Sequence, residues 1–250
     1  LYLNNLFMIN NKTILITGGA SGIGEAAVSL FLKYNNKVII IDKNIPKKKD
    51  ENLYFYKLDL ARVKSIKTIV KKITFKFNKI DVLILNAGIC PFEKFLKIDQ
   101  KMFDLVVDVN QKSAFFLAQE IAKLMVKKKI NGKIIFTSSI SSLFGGELQA
   151  HYCGTKGAIN QIMKSICISL GKHNINVNAV LPGTVVTNIN KKQLAKNHAL
   201  KKYFVKRTPL KRLITSDEIA KVMLFLASDL SSGINGETIL VDGGMAINFQ

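Results

Sequence analysis

Seven short runs of aliphatic and β-branched residues alternate with longer amphipathic stretches along this chain. The runs fall at residues 13–17 (TILIT), 37–41 (KVIII), 53–58, 80–85, 133–137, 175–181 and 238–241. Most are unbroken apolar segments, the pattern of strands covered on both faces. The stretches 24–34, 62–75, 100–127, 152–170 and 216–227 have the length and period of helices. Strand and helix in turn, with right-handed crossovers, predict an α/β fold: a doubly wound, seven-stranded parallel sheet with helices on both faces.

Of the 250 residues, 48% are hydrophobic and 22% charged, which excludes disordered, collagen-like and disulfide-scaffold classes. No apolar run nears the roughly eighteen residues of a membrane span, and the start lacks the pattern of a secretion signal. Cys90, Cys153 and Cys167 are odd in number and show no CxxC spacing, so neither a disulfide framework nor a metal site is expected. These features predict a soluble protein of the reducing cytoplasm, with no membrane partner. Residues 1–7, ahead of Met8, are read as an extension outside the native fold, and 8–250 as a single domain. The lysine-rich segment 188–206 interrupts the alternation and is expected to form a lid over the site, or else a plain surface excursion.

The net charge of +20, from 37 basic and 17 acidic residues, raises nucleic acid as a partner. The basic residues are scattered, however, and only Arg62, Arg207 and Arg212 can supply the forked donors that base reading favours. No nucleic-acid partner is therefore expected.

Directly after the first run comes Thr17-Gly18-Gly19-Ala20-Ser21-Gly22-Ile23-Gly24, opening the first helix. Glycines there permit a tight turn and close backbone approach to a diphosphate, and the helix N-terminus offers free amides. In this strand, turn, helix context the cluster points to a dinucleotide. Asp42 ends the second strand, 24 residues beyond Gly18, where a carboxylate can accept both ribose hydroxyls and repel a 2'-phosphate. NAD is favoured on that ground, with NADP admitted because the ammonium of Lys43 offsets part of the repulsion. Taken alone, Asp42 reads equally as a strand-end turn residue.

Tyr152 and Lys156 stand four residues apart, on one helix face. A phenol with a free pKa of about 10 is a poor base at neutral pH. An ammonium about 5 Å away would favour the phenolate by roughly 3 kcal/mol at an effective dielectric near 20. Such a tyrosine can take a hydroxyl proton while hydride leaves the same carbon.

From about Asn10 onward the chain resembles the short-chain dehydrogenases/reductases, a family with a Rossmann-type fold. The resemblance rests on the motifs at Thr17 to Gly24, Asn86-Ala87-Gly88, Asn110, Ser138-Ser139, Tyr152 with Lys156, Pro182-Gly183 and Asp242-Gly243-Gly244, in that order. It implies that Ser139 stabilises the reacting oxygen, Tyr152 is the acid/base, Lys156 tunes it and holds the nicotinamide ribose, and Asn110 anchors a relay water. It implies cofactor contacts at Gly18, Ser21, Gly22, Ile23, Gly24, Asp42, Asp59, Leu60, Asn86, Ala87, Gly88, Tyr152, Lys156, Pro182, Gly183, Val185 and Thr187, and a homotetramer.

The loops at residues 86–92, 138–146, 149–152, 181–191 and 208–213, with the C-terminal Asn248-Phe249-Gln250, are similar to the sugar dehydrogenases of the L-rhamnose 1-dehydrogenase branch. That branch oxidises an aldose at its anomeric hydroxyl to the lactone. Ser139, Ser141, Gln149, Tyr152, Thr184 and Asn190 are then the expected sugar-binding residues. Open alternatives are an anionic alcohol met by the lid lysines, a ketoacyl substrate, and a cofactor-binding regulator without turnover. His151, His173 and His198 read as surface or packed histidines, and Cys90 and Cys153 as small apolar packers near the cleft.

Overall fold

A computed structural model describes residues 9–248, so the expectations for residues 1–7, Met8, Phe249 and Gln250 lie outside the described residues. The strands are β1 (Thr13–Thr17), β2 (Lys37–Asp42), β3 (Leu53–Lys57), β4 (Val82–Leu85), β5 (Lys133–Thr137), β6 (Asn176–Pro182) and β7 (Thr238–Val241). They form one sheet in the order β3-β2-β1-β4-β5-β6-β7. Every pairing is parallel. The order reverses beside β1, which pairs with β2 on one side and β4 on the other. In doubly wound sheets that switch opens a crevice beyond the carboxyl ends of the strands.

The helices are α1 (Gly22–Lys33), α2 (Ile66–Phe77), α3 (Gln100–Val107), α4 (Ser113–Lys127), α5 (Ala150–Leu170), α6 (Lys191–Lys196), α7 (His198–Arg207) and α8 (Ser216–Ala227). Residues of α2, α4 and α5 pack one face of the sheet, around Leu83, Ile134 and Phe136. Those of α1 and α8 pack the other, around Ile16, Ile40 and Ile135. Burial on both faces is why β1 and β4 read as unbroken apolar runs.

One expectation changes. The segment 100–127 is not one helix: a π-helical turn, Asp108–Lys112, separates α3 from α4 and carries Asn110. A widened turn re-aims side chains in a way that sequence period does not report, and such turns occur often at functional sites. The segment 188–206 folds into two short helices, α6 and α7, the second capped by the Asn197 side chain. The start of α8 carries a full capping box between Thr215 and Glu218.

Phe136 is fully buried at the centre of the sheet. Phe136→Ala is expected to lower the unfolding free energy by about 3–5 kcal/mol with the urea slope unchanged. Urea melts followed by circular dichroism measure both.

Candidate active site

The carboxyl ends of β1 and β4 are stitched together by the last residue of β1. Thr17 Oγ1 accepts the amides of Asn86 and Ala87 at 3.0 and 3.1 Å. Asn86 Nδ2 returns two bonds, to the carbonyls of Thr17 and Gly18, each 3.2 Å. Gly18 has φ +68°, and a Cβ there would lie 2.8 Å from Ala87 Cα. Both conformation and space therefore require glycine.

The turn continues into α1. Ser21 stands at its N-cap without making a side-chain cap bond, and a Cβ on Gly24 would overlap the Gly18 carbonyl oxygen. Ile23 packs against the core beneath. Asp42, nearly buried at the end of β2, accepts Ala20 N at 3.1 Å through Oδ2 and Asn44 N at 2.9 Å through Oδ1. Its carboxylate thus shapes the glycine turn, a second task the sequence did not announce. Thr187 closes the far side, its Cβ 3.3 Å from where Gly22 would carry one. A cavity of about 390 Å³ opens between Ala20, Ser21, Gly22, Asn44 and Thr187. Its backbone amides and helix N-terminus match the chemistry of a diphosphate, so these residues fit a dinucleotide.

Behind Pro182, Gly183 lies against Asp242: a Cβ would approach Asp242 Cβ to 2.7 Å. Asp242 is held by the amides of Gly244 and Ala246, at 2.9 and 2.7 Å. Val185 is buried and bridges Ile214. Leu60 is buried in the core, whereas Asp59 is exposed and its Oδ1 accepts Ala61 N.

The polar cluster sits beyond β4 and β5. Lys156 is buried, and its Nζ donates to the carbonyl of Thr137 at 2.7 Å while lying 5.6 Å from the Tyr152 ring centroid. Ser138 Oγ, at the end of β5, donates to the Lys156 carbonyl at 3.1 Å and fixes that turn of α5. Ser139 hydrogen-bonds the Tyr152 phenol, and its Oγ accepts Ser141 N at 3.0 Å. Asn110 exchanges hydrogen bonds with both backbone groups of Ile89, at 2.8 and 2.9 Å, and donates to Thr155 Oγ1 at 3.2 Å. Gly88 leaves room for this: a Cβ there would stand 3.4 Å from Asn110 Oδ1 and 3.5 Å from Lys156 Nζ.

The structure brings Ser139, Tyr152, Lys156, Asn110 and Gly88 together and corrects one expectation. Burial is the largest influence on Tyr152 and pushes the phenol up; the Ser139 hydrogen bond opposes it, and the ammonium does not dominate. Burial also pulls Lys156 down to about 8. Asn190 ties its own loop through its amide, accepting Thr187 N at 3.0 Å and donating to the Val185 carbonyl at 2.9 Å. The side chain of Asn110 bonds Ile89 and Thr155 and so positions the loop after β4.

Gln149 and Thr184, two of the other expected sugar residues, each donate to sulfur: Gln149 Nε2 to Cys90 Sγ at 3.6 Å and Thr184 Oγ1 to Met245 Sδ at 3.8 Å. Sequence reasoning missed the roles of Thr17, Thr137, Thr155 and Cys90. Only Thr17, at the junction of strand and glycine turn, carried a local signal. His151 is packed, with neither ring nitrogen hydrogen-bonded.

A glycine turn at the topological switch, with a phenol, an ammonium and a hydroxyl converging beside it, defines a nucleotide-dependent oxidoreductase site. The chain belongs to the short-chain dehydrogenase/reductase family, matching over residues 18–246 the family model described as "Enoyl-(Acyl carrier protein) reductase". It is 38% identical over 253 residues to the L-rhamnose 1-dehydrogenase (NAD(P)(+)) of Sphingomonas sp. (strain SKA58), covering 97% of this chain and 99% of the relative. It is 41% identical over 250 residues to the L-rhamnose 1-dehydrogenase (NADP(+)) of Thermoplasma acidophilum, covering 96% and 98%. Among solved structures it is similar to 4-hydroxyisoleucine dehydrogenase complexed with NADH, with a TM-score of 0.90, 31% identity, and coverage of 94% and 98% of the two chains.

The Lys156 shift has a stability consequence of definite sign. With a folded value near 8 against an ordinary 10.5, the unfolded chain binds more protons between those limits, so stability rises with pH across them. The penalty for the buried ammonium is fully present below pH 8. Lys156→Met is expected to be the more stable protein at pH 7, by on the order of 3 kcal/mol. Its advantage should shrink as the pH is raised from 8 toward 10, as read by urea melts at each pH.

Proposed function

We propose that this protein is an NAD(P)-dependent sugar dehydrogenase that oxidises an aldose, L-rhamnose, at its anomeric hydroxyl to the lactone. The observation that carries this reading is full-length similarity to two L-rhamnose 1-dehydrogenases, together with a convergent Ser139, Tyr152 and Lys156.

The glycine turn and the amides of Ala20 to Gly22 would hold the diphosphate of the cofactor, and Asp42 would meet the adenosine ribose. When bound, the oxidised nicotinamide supplies the hydride acceptor. Ser139 donates to the C1 oxygen, and Tyr152 takes the C1 hydroxyl proton as hydride leaves the same carbon, so that a C=O bond forms and the sugar loses two electrons. Lys156, charged at neutral pH and fixed by the Thr137 carbonyl, would hold the nicotinamide ribose beside Tyr152. Asn110 keeps the loop after β4 in register with Lys156. Because burial raises the phenol, proton removal is the uphill part of oxidation, and the oxidation rate is expected to climb with pH on the alkaline side. Gln149, Ser141 and Thr184 read the remaining sugar hydroxyls, and α6 and α7 cover the cleft as a lid.

The chain assembles as a homotetramer. The support is exposed Phe103 and Leu105 on α3 and Phe115 and Phe116 on α4, apolar surface on elements that position Asn110. The cytoplasm suits its three free thiols. Among the described residues no helix is long and apolar enough to cross a membrane.

Tyr152→Phe is expected to lower kcat for aldose oxidation at least about a thousandfold. NADH binding, followed by fluorescence, should stay within a few-fold of the wild type. A Tyr152→Phe protein that turns over at the normal rate overturns the mechanism. A wild-type protein that reduces neither NAD nor NADP with any aldose overturns the substrate.

A further inference from the structure

Cys90 lies two residues beyond Gly88 in the loop after β4 and is buried. Its sulfur is close enough to the catalytic pair that both the Tyr152 phenol and the Lys156 ammonium feel its charge state. On its other side it accepts the amide of Gln149 at 3.6 Å. Gln149 directly precedes α5, three residues before Tyr152, and makes no side-chain cap bond to the helix.

The backbone of Gln149 is fixed at both ends, donating to the Gly146 carbonyl at 3.0 Å and accepting Cys153 N at 2.8 Å. Its side chain lies across Gly146, where any Cβ would meet Oε1. The loop bearing Cys90 is pinned to the same segment through Glu93 N and the Leu148 carbonyl, at 3.1 Å. The carboxamide of Gln149 is therefore confined beside the reacting centre with its donor on a sulfur. Burial pushes the Cys90 thiol up to about 12, so it is un-ionised at neutral pH. A neutral thiol is among the weakest acceptors in proteins.

We propose that Cys90 is a positioning residue for substrate recognition: it holds the Gln149 amide beside Tyr152 on an acceptor weak enough for a sugar hydroxyl to displace. A strong acceptor in that place would keep the amide, and no acceptor would leave a half-buried donor without its protein partner. The pair thereby reads one ring hydroxyl next to the anomeric carbon, and an aldose lacking it gains nothing from the exchange. The inference rests on the sugar dehydrogenase reading above.

The test is a double-mutant cycle of Cys90→Ala and Gln149→Ala, with steady-state kinetics on the aldose that the wild type oxidises and on its monodeoxy analogues. Each single variant is expected to raise the aldose KM about five- to tenfold, with kcat and the cofactor KM within twofold. The double variant should be no worse than Gln149→Ala alone. One deoxy analogue should be handled alike by all four proteins, a selectivity that general loosening of the cleft would not produce. Multiplicative effects of the two substitutions, or an unchanged aldose KM in Cys90→Ala, overturn the inference while leaving the sugar reading intact. Absence of turnover with every aldose in the wild type overturns both.

Discussion

The hydroxyl of Thr17 accepts two amides from the strand end beside it, and the carboxamide of Asn86 returns two bonds to the turn that follows Thr17. These four bonds hold β1 and β4 flush at the point where the strand order reverses. From this seam the glycine turn departs in one direction and the loop carrying Gly88 and Cys90 in the other. Were the two strand ends to part, the diphosphate cradle and the catalytic wall would no longer share a cleft. The close approach of Gly18 to Ala87 has the same root: two backbones meet where no side chain fits.

The site built on that seam is costly to the fold. A lysine amine is buried on a single backbone carbonyl, a phenol is desolvated beside it, and the imidazole of His151 is packed without hydrogen bonds. Burial works against charge on both catalytic groups, raising the phenol and lowering the amine, so that their affinities for the proton move apart. A polar substrate entering the cleft restores part of the lost solvation. The two core layers on either face of the sheet offset the cost.

Much of this was legible along the chain. Unbroken runs such as TILIT and KVIII are strands because both their faces are covered, and the glycine turn falls where strand passes to helix. Helix spacing put Tyr152 and Lys156 on one face, and the resemblance to the short-chain dehydrogenases/reductases, carried by the ordered motifs around them, marked that pair as catalytic. The tie made by Asn190 and the acidity of Tyr152 were not legible. The first depended on whether an amide closes its own loop, and the second on how much water the completed fold removes, neither of which spacing records. The break at Asn110 escaped for a related reason: a single extra residue in a helical turn leaves the apolar pattern on either side nearly intact.

Periodicity and local geometry therefore determined the fold class, the order of strand and helix and the glycine cradle, and the order of motifs that the chain shares with its family marked the phenol with its ammonium. These are properties of neighbours in sequence. The tertiary structure alone decided that Thr137 receives Lys156, that Asp42 braces the glycine turn from another strand, and that the thiol of Cys90 meets Gln149 from 59 positions away. Such contacts join segments brought together only when both faces of the sheet are covered, and desolvation, the strongest influence on the catalytic pair, exists only once that covering is complete.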